Sequence, residues 1–555
     1  MPSDERAVEI IKLRDELEKN KGSFLPHWED LARIMLPRRA GFTRAVVPGE
    51  SRTEEIFDGT PMQSARSLGH HMGFWLRPES SEWYFIKADD DFLNGVESVD
   101  IWLDNAKQTM DQALTNPKAR FRQSTGEMDL DLVVFGTGIM FIGEGKNLNH
   151  LIFQSLHLKD SVLVYDEDGN IEGVIHTRKW TVRQAINRWG RKMSQNVQDL
   201  HKKGKLDEKV DIAHAVMPRK DKKFDNPRLG INMPVADFWI ESEEKSILEE
   251  GGFHEFPFVA PRWDTTSGED YGRSPGMIAL PDSATLQAMG ETILVSGQRA
   301  ADPPLLAPND GAINEMNTFP GAISYYDVDI ARELGGNPVF PLQSGVNLPI
   351  TRDMQTDSRD QVMRAFFRNV LNLPIDGPQM TATEVMQRKE EFIREIGPVF
   401  GRFETDYTAP MIQRSFNIML RAGAFGEIPP ELQGANIRFE FESPVNKVKQ
   451  QIKASAAKLW VAEQLQLAQV MPEALDHINV DGLAHVTHEA DGVPNEVRNP
   501  KELIEAKRKQ RQKSIEQAQQ MDQLERGANV AETFANTADK AGMTEQLKQG
   551  VATQQ

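Results

Sequence analysis

The feature that most constrains the fold is a long apolar stretch with almost no charge, from Leu280 to Ala300. Its apolar residues recur at the spacing of a helix, and its only charged side chains are Asp282, Glu291 and Arg299. A helix of this length extends about 30 Å, and other protein must cover its apolar surface. We therefore expect a chain that packs beside copies of itself.

The residues just before this stretch predict a buried strand followed by a polar loop. Phe258 and Val259 favour a strand, and the run from Thr265 to Gly268 favours a turn. The segment shows none of the groupings that catalysis usually needs. It therefore indicates a structural role.

The composition limits the class of protein. A chain of 555 residues predicts three or four domains, and a hydrophobic content of 39% is ordinary for a folded protein. No apolar run approaches the roughly 20 residues that span a bilayer, so we expect no membrane partner. Zero cysteines exclude disulfides and thiolate metal sites. With no leader pattern at the start, we expect synthesis in a cytoplasm.

The first third of the chain predicts several helices and one clear hairpin. Strands at 162–165 and 171–175 flank a turn at 166–170, where Asp-Gly suits a tight hairpin. Thr181 is expected to cap a single helix that runs to about residue 203. The other predicted elements are helices at 4–36 with a break at Pro37, 61–76, 98–114 and 120–132, and strands at 133–135 and 140–142.

The middle and end of the chain alternate between short strands and long helices. Short strands between 206 and 261 predict a small α/β domain, inserted between the helices at 181–203 and 280–300. Beyond Asn499 the composition is typical of an extended helix or a disordered tail. The other predicted elements are strands near 323–326 and 339–340, and helices at 353–374, 447–471 and 381–420, the last with a Thr381–Glu384 capping box and kinks at Pro398 and Pro410.

Several short motifs, in their order along the chain, resemble those of one known family. The family comprises the portal, or head-to-tail connector, proteins of short-tailed double-stranded DNA bacteriophages. The likeness covers residues 30 to 510. The segments that carry it are Glu54-Ile56-Phe57-Asp58, Phe135-Gly136-Thr137-Gly138, Pro261-Arg262-Trp263, Glu269 to Gly276, Thr381 to Val385 with Arg388 and Glu391, Gly397-Pro398 with Arg402, and Ser443-Pro444.

The resemblance implies an α+β, mainly helical, portal-type subunit that assembles into a ring, expected to be dodecameric. It divides the chain into an N-terminal wing part (1–180), a stem helix (181–204), a clip (205–270), a second stem helix (271–302), a C-terminal wing part (303–498) and a crown, barrel or disordered tail (499–555). The wing would hold the tunnel loop near 343–351 and the long helix 381–420.

The same resemblance implies a role and its partners. The ring would form the channel through which double-stranded DNA enters and leaves a virion, at one capsid vertex. Expected partners are the terminase large subunit, the tail adaptor, the major capsid and scaffolding proteins and internal core proteins. No enzyme activity and no cofactor are expected, and assembly would take place in the host cytoplasm.

The resemblance also suggests three groups of site residues. The tunnel loop would project into the channel, the clip would dock the motor or adaptor through a basic cluster, and a basic run in the crown would touch packaged DNA. A solvated loop or helix face remains the alternative for both basic groups. The residues are Gln343, Ser344, Asn347 and Thr351 for the tunnel loop, Arg219, Lys220, Lys222, Lys223 and Arg228 for the clip, and Lys507, Arg508, Lys509, Arg511 and Lys513 for the crown.

Motifs for catalysis and metal binding are weak. Gly136-Thr137-Gly138 lacks the spacing of a dinucleotide-binding loop, and the chain has no Gly-Lys-Thr or Gly-Lys-Ser phosphate loop, so the packaging motor would be a partner. Asp166 and Asp168 suit a hairpin turn better than a calcium loop. His485 and His488 match no known zinc motif. We expect no metal site.

Two other functions stay open at this point. One is a tail or scaffold component without a DNA channel, and the other is a metal-dependent nucleic-acid-processing enzyme that uses acidic residues. The net charge of −19 argues against a protein that grips DNA, because tight duplex binding relies on Lys and Arg. The acidic excess would either face the channel and repel the duplex or serve solubility alone.

Overall fold

A computed structural model gives the fold. It describes residues 4–45, 47, 49–79, 82–90, 92–94, 96–145, 150–219, 230–309, 317–327, 339–342, 348–368, 397–398, 401–441, 444–468, 471–490, 499 and 501–540. The chain divides into two compact units, residues 1–448 and 449–555. As predicted, the described residues are mainly helical and include several small sheets. In this part of the chain no helix is both long enough and apolar enough to cross a membrane.

Thirteen α-helices and thirteen strands are described, and they are numbered here in chain order. The helices are α1 Glu5–Lys21, α2 Phe24–Met35, α3 Thr60–Leu76, α4 Glu97–Thr115, α5 Phe121–Phe135, α6 Val182–Trp189, α7 Gln195–Lys202, α8 Pro275–Ala301, α9 Leu348–Ala365, α10 Ala409–Arg421, α11 Pro444–Ala468, α12 Val480–Ala490 and α13 Lys501–Lys540. The strands are β1 Tyr84–Ala88, β2 Ile139–Glu144, β3 Leu151–Leu156, β4 Ser161–Tyr165, β5 Ile171–Thr181, β6 Lys209–Pro218, β7 Val235–Glu241, β8 Ser246–Phe253, β9 Phe258–Val259, β10 Leu305–Asn309, β11 Ile323–Asp327, β12 Phe340–Pro341 and β13 Ile437–Phe441.

The strands form four sheets. The largest is an antiparallel sheet of five strands in the order β4-β5-β6-β7-β8. The hairpin predicted at 162–175 is confirmed as β4 and β5. Its turn contains Gly169 at a φ of 80° and is held by Asp166 Oδ1, which accepts hydrogen bonds from the backbone N–H groups of Asp168 and Asn170. The smaller sheets have the orders β3-β2-β9, β11-β10-β12 and β1-β13.

Helices cover both faces of the five-stranded sheet. On one face Ile175 and Ala213 pack against Ile10 and Ile11 of α1, and on the other face the buried residue Ile212 packs against α6. Successive side chains of a strand point to opposite faces, so each face has its own apolar cluster. The predicted clip, 205–270, therefore shares its sheet with β4 and β5, which the sequence assigns to the wing.

The single stem helix predicted at 181–204 is wrong as one element. The predicted cap is present, because Thr181 and Gln184 form a capping box at the start of α6. The helix ends at Gly190, whose φ of 54° lies in the left-handed region, and Ser194 then caps the separate helix α7. Both helices pack on the sheet, where Val182 and Val197 share an apolar cluster with residues of β6 and β8.

The main core of the first unit surrounds α5. Met128 and Leu132 of this helix are fully buried beside Trp28 of α2 and Met72 of α3. The strand predicted at 133–135 is wrong, since these residues form the last turn of α5. A short run of buried apolar residues fits either element, and here the helix ends one residue later at Gly136, with a φ of 80°.

The long apolar stretch forms a helix, as predicted, and starts earlier than expected. Helix α8 contains 27 residues and so extends about 40 Å. Ser274 caps its N-terminus and Pro275 occupies the first turn, where proline is well tolerated. Helix α9 also begins earlier than its predicted start at Asp353, because Leu348 to Arg352 are already helical.

Of the helix predicted at 381–420, residues 397–398 and 401–420 lie within the described residues. Residues 381–396, including the expected capping box, lie outside them. A π-helical turn, Glu404–Thr408, leads directly into α10, and Pro410 lies in the first turn of α10. The predicted kink at Pro410 therefore coincides with a change of helix type.

The second unit is helical where it is described. Helix α11 begins in the first unit and confirms most of the helix predicted at 447–471. Helix α13 contains 40 residues and extends about 60 Å. Of the two alternatives for the region beyond Asn499, the extended helix is therefore correct up to Lys540. Residues 541–555 lie outside the described part of the chain.

Candidate functional site: the junction at the start of the long helix

Three motif segments that are far apart in sequence meet at the start of α8. We call the residues 134–138, 261–264 and 271–276 the motif junction. Gly136 accepts a hydrogen bond through its carbonyl oxygen from the Trp263 N–H at 2.8 Å. The Gly138 N–H donates to the carbonyl oxygen of Pro261 at 3.2 Å. The Gly272 N–H donates to the Thr137 hydroxyl at 2.9 Å.

Two glycines allow the backbones of the junction to approach closely. A Cβ atom on Gly136 would lie 2.2 Å from the carbonyl oxygen of Gly272, and one on Gly272 would lie 2.3 Å from that of Gly136. No side chain fits at either position without moving the backbone. Gly136 also needs a positive φ, which glycine adopts at little cost.

Ser274 joins the start of α8 to the end of α5. Its hydroxyl accepts a hydrogen bond from the Met277 N–H at 3.0 Å, which caps α8. The same hydroxyl donates to the carbonyl oxygen of Val134 at 2.7 Å. The direction in which α8 leaves the core is therefore set by α5.

Arg402 connects the junction to the segment before α10. Its guanidinium donates to the carbonyl oxygen of Trp263 at 3.0 Å and to the carboxylate of Asp264 at 2.9 Å. Next to it, the Phe403 ring meets the Trp263 ring edge-on, with centroids 5.4 Å apart. Backbone bonds between Asp264 and Arg273 close the loop from the other side.

A second set of contacts holds α8 about halfway along its length. The side-chain oxygen of Gln287 accepts hydrogen bonds from the Phe57 and Asp58 N–H groups at 2.8 and 2.9 Å, and its amide donates to the Asp58 carbonyl oxygen at 2.7 Å. Arg359 of α9 forms an ion pair with the Asp58 carboxylate at 2.7 Å. Burial acts to raise the pKa of Asp58, but hydrogen bonds from Thr60 and Arg359 outweigh it and lower the pKa.

A buried polar triad connects the core to the π-helical turn. The guanidinium of Arg77 contacts one carboxylate oxygen of Asp129, and the Tyr407 hydroxyl donates to the other oxygen at 2.9 Å. Arg77 also lies over the Tyr407 ring, 5.0 Å from its centroid. Burial raises the pKa of Asp129 while Arg77 opposes that rise. The triad fixes three chain segments without any exposed reactive group.

Comparison with known proteins decides what this arrangement belongs to. A family model described as bacteriophage head to tail connecting protein matches residues 7–498. The chain belongs to this family. The resemblance inferred from the motifs is thereby confirmed, and the motif junction lies within the matched region of a head-to-tail connecting protein.

Named relatives agree over nearly the full length. The chain is 28% identical over 547 residues to the portal protein of Salmonella phage epsilon15, which covers 96% of this chain and 97% of that protein. It is also 28% identical over 547 residues to a probable portal protein of Bordetella phage BPP-1, covering 97% of this chain and 96% of that protein. A chain of the virion of a native gene transfer agent particle is 12% identical, covers 82% of this chain and 98% of its own, and has a TM-score of 0.33, too low to support an argument.

The predicted clip-docking cluster of the connector is largely outside the described residues. Lys220, Lys222, Lys223 and Arg228 lie there, and only Arg219 is described. Arg219 is buried, forms an ion pair with Glu250 at 2.6 Å and donates to the Gly251 carbonyl oxygen at 2.7 Å. The prediction that Arg219 docks a partner is therefore wrong, because its guanidinium is occupied inside the sheet domain.

The other two groups of predicted residues are only partly described. Gln343, Ser344 and Asn347 of the predicted tunnel loop lie outside the described residues, and Thr351 lies in the first turn of α9 rather than in a loop. The basic run of the predicted crown lies exposed on α13, as a solvated helix face would. One member, Arg508, forms an ion pair with Asp481 of α12.

No metal site appears among the described residues, which contain no cluster of three or more His, Asp or Glu side chains with suitable positions. Asp166 is exposed and belongs to the hairpin turn, where hydrogen bonds from the side chain and the backbone N–H of Asn170 lower the pKa of its carboxyl. His485 and His488 lie on α12.

Sequence reasoning missed Gln287 and the Arg77–Asp129–Tyr407 triad. The one available signal was a Gln in the more apolar first half of α8.

Proposed function

We propose that the chain forms a ring whose channel conducts double-stranded DNA into and out of a virion, without bond chemistry. The observation that carries the proposal is the uncovered surface of α8. Ala284, Ala288, Glu291, Thr292 and Val295 form an exposed row along one side of this helix. The row is made mainly of small residues, and Glu291 is its only charged member. Such a surface suits close packing against another copy or a smooth channel wall.

Further exposed apolar side chains support contact with neighbouring copies. Leu294 is 52% exposed and Ile278 is 72% exposed, both on α8. Apolar groups of this size gain about 1.5–3 kcal/mol each when they are covered. A closed ring gives every copy two neighbours and leaves no end uncovered. The expected ring number remains twelve.

The proposed division of the subunit follows the family, with one revision. Helix α8, within 271–302, forms the stem, residues 1–180 and 303–498 form the wing, and residues 499–555 form the crown. The clip keeps residues 205–270. We propose that it acts together with β4, β5, α6 and α7 as one docking domain, since they share a sheet or cover it.

The proposed partners follow from this role. The terminase large subunit would dock first, followed by the tail adaptor, while the wing would meet the major capsid and scaffolding proteins. Internal core proteins would sit at the crown. The site of action would be the portal vertex of the virion, after assembly in the host cytoplasm.

We also propose that part of the acidic excess faces the channel. Glu291 is exposed on the uncovered row of α8, and an acidic wall repels a phosphate backbone. Glu291→Gln should slow packaging or retain DNA in an in vitro packaging assay. Unchanged packaging would remove this part of the proposal.

Electron microscopy of the purified chain tests the ring directly. We expect rings with a central opening wide enough for a DNA duplex, whereas filaments, monomers or solid discs would contradict the proposal. Leu294→Arg places a charge on an exposed apolar side chain that we assign to the contact with a neighbouring copy, and it should abolish the rings while circular dichroism stays unchanged. Ala422→Arg, at an exposed alanine beyond α10, is the control and should leave the rings intact.

A further inference from the structure

A cavity of about 680 Å³ lies where α1, α2, β3 and β5 meet. One wall is apolar and consists of Leu25, Phe42 and Leu156. The rest of the lining is mainly polar and includes three residues of β5, Thr177, Arg178 and Lys179. The volume is within the range of about 300–1,000 Å³ that is usual for ligand sites.

The polar part of the lining contains a stretch of unpaired strand. Strand β4 pairs with β5 only as far as Ser161 opposite His176, whereas β6 pairs with β5 as far as Lys209 opposite Thr181. Residues 177–181 of β5 therefore have a strand on one side only among the described residues. An unpaired strand edge offers backbone donors and acceptors to another chain.

The direction of the backbone groups fits this open edge. The Thr181 N–H donates to the Gln184 side chain at 3.1 Å, so it does not point toward β6. Because backbone N–H groups alternate in direction along a strand, those of Thr177 and Lys179 also point away from β6. The Thr177 hydroxyl is buried and has no hydrogen-bond partner in the described part of the chain.

The charge of the cavity is predominantly positive. Its lining includes five Lys and Arg side chains and three carboxylates. Arg178 and Lys179 are exposed, and neither forms an ion pair with a described residue. Burial, together with the neighbouring charge of Arg39, lowers the pKa of His157 to about 4. The cavity thus suits an acidic ligand.

We propose that this cavity binds an extended acidic segment of another protein, which pairs as an added strand with residues 177–180. Strand addition uses main-chain hydrogen bonds for affinity and side-chain pockets for specificity. Acidic side chains on one face of the segment would meet Lys179 on the cavity face of the sheet, and the alternate apolar side chains would lie beside Arg178 on the opposite face. The cavity is far larger than a single inorganic anion needs. This proposal does not depend on the ring.

A binding titration with the full chain tests the charge requirement. The probe is a fluorescein-labelled octapeptide of alternating Val and Glu, followed by fluorescence anisotropy. We expect saturable binding, at least tenfold weaker in Arg178→Glu/Lys179→Glu. Lys202→Glu/Lys203→Glu makes the same charge change at the end of α7 and should bind as the wild type does. No binding by the wild type, or equal loss in both variants, would overturn the proposal.

A second titration tests strand pairing on the unaltered protein. The same octapeptide, methylated on alternate backbone nitrogens, keeps its charge and loses half of its hydrogen-bond donors. We expect at least tenfold weaker binding in one of the two methylation registers. Equal binding of the methylated and unmethylated peptides would overturn the proposal. Competition by pyrophosphate as effective as that by the peptide would also overturn it, because it would indicate a simple anion site.

Discussion

Gly136 and Gly272 face each other so closely that a Cβ atom on either would lie within 2.3 Å of the carbonyl oxygen of the other. Each glycine belongs to a different motif, and the contact brings the end of α5 to the start of α8. The pair explains why two separate glycine motifs occur in one chain that has no phosphate-binding loop. Their function is close approach of backbone to backbone.

Replacing Gly136 should therefore cost more than replacing a glycine with the same backbone angle in open space. Gly136 and Gly169 both have a φ of 80°, but a Cβ on Gly169 would meet no atom within 4 Å. We expect Gly169→Ala to lower the free energy of unfolding by about 1–2 kcal/mol and Gly136→Ala by about 3–5 kcal/mol. Chemical denaturation measures both. Equal losses would show that the backbone angle alone matters.

Gln287→Leu should destabilise the subunit although leucine suits the surrounding apolar helix. The substitution leaves the Phe57 and Asp58 N–H groups without their acceptor, which costs about 2–4 kcal/mol in the free energy of unfolding. Gln298→Leu on the exposed part of α8 is the control, and its effect should stay within about 0.5 kcal/mol. Thermal unfolding compares the two, and a neutral Gln287→Leu would contradict the assigned contacts.

Substitutions within the buried triad should have non-additive effects on the free energy of unfolding. Arg77→Met leaves the Asp129 carboxylate buried without its cation, at a cost of about 3–5 kcal/mol in the free energy of unfolding. Adding Asp129→Leu should recover part of that loss, because the unpaired charge is then removed. Tyr407→Phe should cost about 1.5–3 kcal/mol, and Tyr325→Phe, at a half-exposed position, should cost almost nothing. A double-mutant cycle with additive effects would contradict the contact.

The raised pKa of Asp131 predicts that the stability of the fold depends on pH. Burial raises its pKa to about 7, despite the opposing charge of Arg39 at 3.0 Å. The folded state therefore binds this proton more tightly than the unfolded state does. The stabilising contribution of the bound proton to the free energy of unfolding is complete below about pH 4 and is lost as the pH rises to 7. In Asp131→Asn, the fall of the unfolding free energy between pH 4 and 7 should be smaller. Glu16→Gln, at an exposed carboxylate, should follow the wild type.

Local signals made much of the fold predictable. The Asp166–Asn170 turn, the Thr181 cap and the apolar run of α8 each depend on residues that are neighbours in sequence. Their physical causes, a positive φ, a satisfied N–H and an uncharged helix surface, are visible without the fold. The three predictions were therefore correct within a few residues.

The features that were predicted wrongly or missed depend on contacts between residues that are far apart in sequence. Residues 133–135 are buried from all sides, so periodicity does not distinguish a helix from a strand. Arg219 is basic and lies beside a basic loop, but only the sheet register shows that Glu250 and Gly251 lie within its reach. The motif junction also needs the tertiary structure, since sequence order alone does not bring Gly136 to Gly272.

Ser274 and Gln287 anchor α8 in the core, and α9 packs alongside the helix. Ser274 and Gln287 lie about 20 Å apart along the axis, and a similar length extends beyond Gln287 to Ala301. A tilt of about 5° at the second anchor moves the far end by about 2 Å. In a symmetric ring every copy would tilt together, so the bore would widen or narrow by about 4 Å. Hydrogen bonds in the core, at Ser274 and Gln287, would thus set the diameter of an opening to which neither side chain belongs.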